Sequence, residues 1–257
     1  MPQRPFWAGD PRGVDPGAAT GAQLPPPARV RILARGAGLV PLWRNEIGGV
    51  TFRTDDDRVI KFGPRNAETS FREEAARLRW ASAYTSVPRV LELGGDATQE
   101  WMVTVALPGL SAVTPRWLAD PATAVAAVGA GLRAFHDALP VRLCPFVWDV
   151  PARIANAAVR GIRVPDALHH PPPVDRLVVC HGDACCPNTL VGDDGRWTAH
   201  VDLGALGVGD RWADIAVAAM STVWNYGPGW EDALIEAYGV APDPARLAYY
   251  RELWDAT

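Results

Sequence analysis

The sequence predicts an α+β fold of two lobes, strand-rich at the front and helical at the back. Three observations carry this. From Arg29 to Leu107, short runs of Val, Ile, Phe and Leu recur between turn residues. Beyond Pro108-Gly109 the apolar spacing becomes helical, starting with the Ala-rich run from Ala122 to Leu139. The 257 residues, 48% hydrophobic and 21% charged, suffice for one two-lobed unit with a sizeable core.

In chain order, residues 1–27 are rich in Pro, Gly and Ala, end in Pro25-Pro26-Pro27, and read as a flexible leader. Residues 28–107 form the front lobe. Strands are expected at Val30 to Leu33, Val50 to Arg53 and Val59 to Phe62, the last two joined by Asp55-Asp56-Asp57. One helix is expected from Ala67 to Tyr84, because Phe71, Ala75, Leu78 and Ser82 fall at helical spacing. Arg89 to Leu93 and Trp101 to Leu107 follow as strands around Gly94-Gly95-Asp96.

Residues 108–257 form the back lobe. Val125, Val128, Leu132 and Phe135 make one stripe of its first helix, and a second helix runs through Arg153 to Arg160. Short strands are expected at Leu177 to Cys180, Thr189 to Val191 and Trp197 to Val201, the last two pairing across Asp193-Asp194-Gly195. Helices at Trp212 to Val223, Trp230 to Tyr238 and Pro244 to Trp254 close the chain, with the tryptophans of this tail expected in the core.

Composition narrows the function classes. A net charge of −4 and a pI near 5.7 give no basic field for nucleic acid. No apolar run approaches the roughly 18 residues of a membrane span, and Met1 to Asp10 lacks a signal-peptide core. A cytoplasmic protein with no membrane partner is the expectation. Cys144, Cys180, Cys185 and Cys186 match no metal-ligand spacing and read as reduced thiols. Of the 25 basic residues, 24 are Arg and one is Lys61. In so Arg-biased a chain, Lys61 marks a place suited to a compact ammonium.

The chemistry concentrates in His181-Gly182-Asp183-Ala184-Cys185-Cys186-Pro187-Asn188, followed by Asp202-Leu203-Gly204. An Asp followed five positions later by an Asn, and then by Asp-x-Gly, is the spacing of a kinase catalytic loop. The expected fold is therefore the bilobal protein-kinase-like one. Asn188 and Asp202 flank a predicted hairpin, so both oxygens emerge at one end, suited to Mg²⁺ against a triphosphate. Asp183 lies in the loop before the hairpin, where it can take a proton from an incoming hydroxyl.

Glu74 falls on the inward face of the predicted helix, and a buried carboxylate needs a partner. Lys61, on the preceding strand, is the natural one, and the pair suits phosphate binding. Gly48 and Gly49, before the strand at Val50, suit a turn covering the phosphates. His181 reads as a brace for the loop. His136, His169, His170 and His200 carry no partner spacing. Asp210 and Asp214 flank a helix start and are expected as capping or first-turn acids.

These residues, with Leu132-Arg133-Ala134-Phe135-His136 and the run from Leu206 to Ala216, resemble the aminoglycoside phosphotransferase family, closest to the 3′ enzymes. The resemblance spans Leu42 to the C-terminus. It implies transfer of the γ-phosphoryl group of ATP or GTP to a hydroxyl of a cationic, aminoglycoside-like antibiotic. It also implies a purine-binding hinge at Thr104 to Leu107, and acceptor-binding acids at Asp255 and the carboxylate of Thr257. Three features differ from the 3′ enzymes, one of them the ending Leu253-Trp254-Asp255-Ala256-Thr257 in place of a more acidic and aromatic one. Ala205 stands where Arg is common, and residues 149–170 hold only Asp149 and Asp166 as acids. The residues leave open a kinase for another hydroxylated metabolite or peptide antibiotic, and a nucleotide-binding pseudokinase.

Overall fold

The structure, a computed structural model, describes residues 25–257 apart from residues 46, 68 and 69. The leader expected over 1–27 lies, up to residue 24, outside the described residues.

The front lobe opens with a difference from expectation. Val30 to Leu33 is helical, within α1 (Ala28–Ala34). Pro27 precedes the helix, and Val30, Leu33 and Ala34 bury one face at helical spacing. Val30, Ile32 and Leu33, interrupted by Arg31, suit either state over so short a run, and packing decided it. Then come β1 (Leu39–Arg44), β2 (Val50–Thr54), β3 (Arg58–Pro64), α2 (Phe71–Ala81), β4 (Val90–Gly95) and β5 (Gln99–Val105). The five strands form one antiparallel sheet in the order β1-β2-β3-β5-β4. The sequence reading omits β1, an edge strand with a register shift at Pro41 and no apolar alternation.

Ser70 caps α2, its hydroxyl accepting from the Glu73 amide. The helix ends at Ala81, so Ala81 and not Ser82 completes the buried stripe of Glu74, Ala75 and Leu78.

The back lobe contains β6 (Leu110–Ser111), α3 (Pro115–Leu118), α4 (Pro121–Ala138), α5 (Val150–Val159), β7 (Leu177–Cys180), β8 (Thr189–Val191) and β9 (Trp197–His200). It ends with β10 (Gly207–Asp210), α6 (Trp212–Tyr226), α7 (Glu231–Tyr238) and α8 (Pro244–Ala256). β8 and β9 form the expected hairpin, joined by β6, while β7 pairs with β10. The reading from sequence omits β10, whose Gly-Val-Gly-Asp has little strand propensity. Glycine is required there: a Cβ on Gly207 would lie 2.7 Å from the Val147 backbone.

Three apolar clusters result. One fills the front sheet against α1, through Val30, Phe52, Ile60 and Val103. One fills the helical lobe, through Val128, Leu132, Ile215, Leu234 and Leu253. The third straddles the lobes: Ala75, Leu78 and Met102 from the front meet Phe135, Val179, Leu203 and Leu206 from the back. The residues flanking the candidate chemistry therefore sit on a shared, dry support.

Candidate active site

The loop after β7 is set by a buried carboxylate. Asp214, in the first turn of α6, is 1% exposed. Its Oδ2 accepts from the His181 amide at 2.6 Å, and its Oδ1 from the Gly182 amide at 2.9 Å. His136 Nε2 lies 2.9 Å from Oδ2, and His136 Nδ1 lies 2.7 Å from the Tyr238 hydroxyl. An ionised carboxylate accepts only, so His136 donates to Asp214 from Nε2. Burial alone would raise the Asp214 pKa; the bonds from His136 and Gly182 and the nearby His181 hold it below the usual range. Gly182 turns the chain at φ +85°, where a Cβ would meet the Ala205 carbonyl oxygen at 2.3 Å.

Asp210, two residues ahead of the helix, accepts from the Trp212 amide at 3.1 Å, and Asp214 stands in the first turn as expected. Asp214 also holds the loop, and His136, given no role from sequence, supports it. The family-like segments Leu132 to His136 and Leu206 to Ala216 carried the signal for this pair.

His181 braces the next step. Its Nε2 bonds the Val201 carbonyl at 3.0 Å, and its Nδ1 accepts from the Asp183 amide at 3.3 Å. Asp183 follows, half-buried. Its Oδ2 accepts from Asn188 Nδ2 at 3.0 Å, and the same amide reaches the Asp183 carbonyl at 2.9 Å. Asp183 Oδ1 is buried with no hydrogen-bond partner among the described residues. Burial raises the Asp183 pKa, with nearby Asp202 adding to it.

Asn188 precedes β8 directly and Asp202 follows β9 by two residues, and the Val201 amide bonds the Asn188 carbonyl at 3.0 Å. The hairpin thus brings both to one end, as the spacing implies. Asp202 adopts φ +66°, a left-handed conformation that few non-glycine residues take. Its Oδ1 lies 3.0 Å from Lys61 Nζ, which also bonds Glu74 Oε1 at 2.7 Å. Lys61 therefore joins a front-lobe helix to the end of the back-lobe hairpin.

The three charges shape one another. Burial would lower the Lys61 pKa, but Asp202 and Glu74 raise it, so the ammonium stays charged. The Lys61 ammonium beside it holds Asp202 below the usual carboxylate range. Burial raises Glu74, with Asp202 adding to it and Lys61 opposing.

Gly48 and Gly49 form a tight turn between β1 and β2, with Gly48 at φ +88°. The Gly49 amide donates to Asn45 Oδ1 at 2.5 Å, and a Cβ on Gly63 of β3 would lie 3.0 Å from Gly49 Cα. The turn therefore lies against β3, the strand that carries Lys61.

The oxygens suit a hard divalent cation. The Asn188 amide nitrogen faces Asp183, which leaves its carbonyl oxygen for another ligand. The Asp202 side chain is 52% exposed and uses one oxygen on Lys61. Cys185 and Cys186 sit between these groups, but burial pushes both thiols up, Cys186 to about 12, so neither is a ready nucleophile or ligand.

Asp255 and Thr257, expected at the acceptor, lie at the end of α8, and Asp149 lies at the start of α5. Asp149 caps α5, accepting from the Ala152 amide at 2.9 Å. Thr257 is 7% exposed; its hydroxyl donates to the Leu253 carbonyl and accepts from Arg153 Nη2, and its backbone oxygen accepts from Arg160. These bonds engage Thr257 within the lobe, contrary to an open role toward a ligand. Asp255 keeps an exposed carboxylate on α8.

Comparison with known proteins adds the following. A family profile for the phosphotransferase enzyme family matches residues 45–250. The chain is similar to an aminoglycoside 3′-phosphotransferase of Streptomyces fradiae, 36% identical over 76% of this chain and 83% of that protein. It is similar to a streptomycin 3″-kinase of Streptomyces griseus, 32% identical over 81% of this chain and 88% of that one. Among solved structures, an aminoglycoside 3′-phosphotransferase of type VIII superposes with a TM-score of 0.71 at 29% identity, covering 89% of this chain and 97% of that one. An aminoglycoside phosphotransferase from Streptomyces rimosus, in complex with ADP and streptomycin, superposes with a TM-score of 0.65 at 25% identity, over 86% and 94%.

Proposed function

The chain belongs to the phosphotransferase enzyme family, among the aminoglycoside phosphotransferases with the protein-kinase-like fold, and we propose that it transfers the γ-phosphoryl group of ATP or GTP to a hydroxyl of an aminoglycoside-type acceptor. One observation carries the reading. Asp183, Asn188, Asp202, Lys61 and Glu74 come from separate elements of both lobes yet form two hydrogen-bonded sets, Lys61 with Glu74 and Asp202 and Asn188 with Asp183, that the β8–β9 hairpin brings to one end.

Asp183 is the base in this reading. Its Oδ1, buried and without a partner, takes the proton of the acceptor hydroxyl as the new O–P bond forms and the bond to the nucleoside diphosphate breaks. Asn188 keeps the other oxygen fixed, so the carboxylate presents one face. Lys61, oriented by Glu74, turns its ammonium to the phosphates. Asp202, freed from Lys61 in part by the nucleotide, and Asn188 would hold Mg²⁺. That ion would neutralise the phosphate charge. Among the described residues no set of three or more His, Cys, Asp or Glu could hold a metal, so phosphates and water would complete the ion's shell. Gly48 and Gly49 cover the phosphates with backbone.

Resistance to such an antibiotic is the consequence this activity would have in a cell. Among the described residues no helix is long and apolar enough to cross a membrane, and the acceptor and nucleotide are the partners this reading needs. The testing experiment is ATP-dependent transfer with mass detection of a phosphorylated product, run on streptomycin and kanamycin-type compounds. A product heavier by one phosphoryl group supports the reading; transfer only to other hydroxylated compounds overturns its acceptor half.

A further inference from the structure

We propose that Arg77 is a positioning residue for the Lys61–Glu74 pair, because it clamps α2 onto the backbone just beyond Asp202-Leu203-Gly204. The proposal rests on the phosphotransfer reading only in naming what Lys61 serves.

Helix α2 carries Glu74 yet belongs to the front lobe, so something must fix its distance from the back lobe. Arg77 lies one turn after Glu74 on the same helix. Its Nε donates to the Leu206 carbonyl at 3.0 Å. Its guanidinium stacks over the Phe146 ring with 5.0 Å to the centroid, and its Nη1 bonds Glu73 Oε2 at 3.2 Å. The side chain is only 13% exposed, whereas Glu73 is 66% exposed. The bond to the lobe opposite is therefore the sheltered one.

A second bond runs parallel. Trp80, one turn further, donates from Nε1 to the Leu143 carbonyl at 3.1 Å, and its ring meets Phe146 edge-on at 6.2 Å. The segment they grip is itself anchored to β10: the Val208 amide bonds the Phe146 carbonyl and the Trp148 amide bonds the Val208 carbonyl, both at 2.9 Å. Leu206 is fully buried in the cluster that spans the lobes.

The clamp therefore reads backbone, not a side chain that could be modified or withdrawn. Only Ala205 to Gly209 separate Gly204 from Asp210, so no long loop intervenes to undo it. Arg77 also contributes positive potential at Glu74, favouring its ionised form.

The test uses the full chain and the fact that Lys61 is its only lysine. Arg77→Met keeps the hydrophobic stem and removes the donors. Calorimetric titration with Mg-nucleotide is expected to show affinity weakened about three- to tenfold, the loss of one ordinary hydrogen bond. Labelling of Lys61 by a small amine reagent, followed at the peptide level, is expected to quicken. Arg77→Lys, which retains a donor toward Leu206, is expected to recover most of the affinity. If Arg77→Met does not fold, Trp80→Phe removes only the indole N–H, with the same two shifts expected in smaller size. Unchanged affinity and unchanged Lys61 labelling in a folded Arg77→Met, or in Trp80→Phe if that is the folded variant, overturn the proposal even if the melting temperature falls. Both binding and labelling are read without turnover, so a failed transfer assay leaves this test standing.

Discussion

The catalytic loop and the region expected to meet the acceptor share one lobe but are built differently. Around Asp183 nearly every polar group has a fixed partner within the chain: Asp214 takes two backbone amides, His181 spans to Val201, and Asn188 holds both the side chain and the carbonyl of Asp183. The exception is Asp183 Oδ1. Among the acids of α5 and the C-terminus the pattern changes only at Asp255. Asp149 is used as a cap, Thr257 is tied inward, and Asp255 stands exposed. The machinery of transfer is preorganised by buried hydrogen bonds, which keep their strength away from water. In the proposed function, a contact of Asp255 with a cationic acceptor would depend on exposed charge, which salt screens over about 8 Å at physiological ionic strength.

If that contrast is right, the largest effects fall at the loop. Asp183→Asn keeps the bond from Asn188 but removes the base, and kcat should fall roughly 10²–10⁴-fold while calorimetric nucleotide affinity stays near that of the parent. The sign of the pH dependence follows from burial. Because the Asp183 pKa is raised, the carboxylate is lost as pH falls through a value above the usual range, so the acid limb of kcat/KM lies above that range. A limb at the value of a free carboxylate would assign it to another group.

Asp202→Ala comes next. It removes the carboxylate that faces both Lys61 and the proposed ion. Titrations with and without Mg²⁺ should become alike, and retention of the parent's metal dependence would remove Asp202 as a ligand.

Asp214→Asn is smaller for chemistry and larger for structure. One oxygen remains for two backbone donors, and each buried donor left unpaired costs about 1–3 kcal/mol. Thermal unfolding should shift down and kcat should drop with it. Unchanged stability would break the claim that this carboxylate organises the loop. The smallest effect belongs to Asp255→Ala: KM for a cationic acceptor should rise a few-fold, in line with the modest value of exposed pairs, with kcat almost unmoved. Raising the ionic strength should erase the difference.

The same contrast explains what could be read from the sequence. Asp183, Asn188 and Asp202 were legible because the chemistry demands these types at fixed spacing along one hairpin. Lys61 and Glu74 were legible because one is the sole lysine and the other sits on an apolar stripe. Asp214 and His136 were not, since their task is a contact between distant elements, 78 positions apart, with no local pattern. Helix α1 was misread as a strand because Val30 to Leu33 fits both periods over so short a run, and the neighbouring sheet chose the helix. β10 was missed because its glycines are there for close approach to Val147 and Trp148, not for strand propensity. Thr257 bonds Arg153 and Arg160, 104 and 97 positions away, a pairing that no local pattern announces.

The central claim is that the loop built on Asp183 moves a phosphoryl group to an aminoglycoside hydroxyl. Its most direct test is mass detection of product after incubating the full chain with Mg-ATP and either streptomycin or a kanamycin-type compound, beside Asp183→Asn under the same conditions. The account predicts a singly phosphorylated antibiotic with the parent and a product reduced by orders of magnitude with the variant. Equal product from both, or tight nucleotide binding with no phosphorylated antibiotic from the parent, would contradict it.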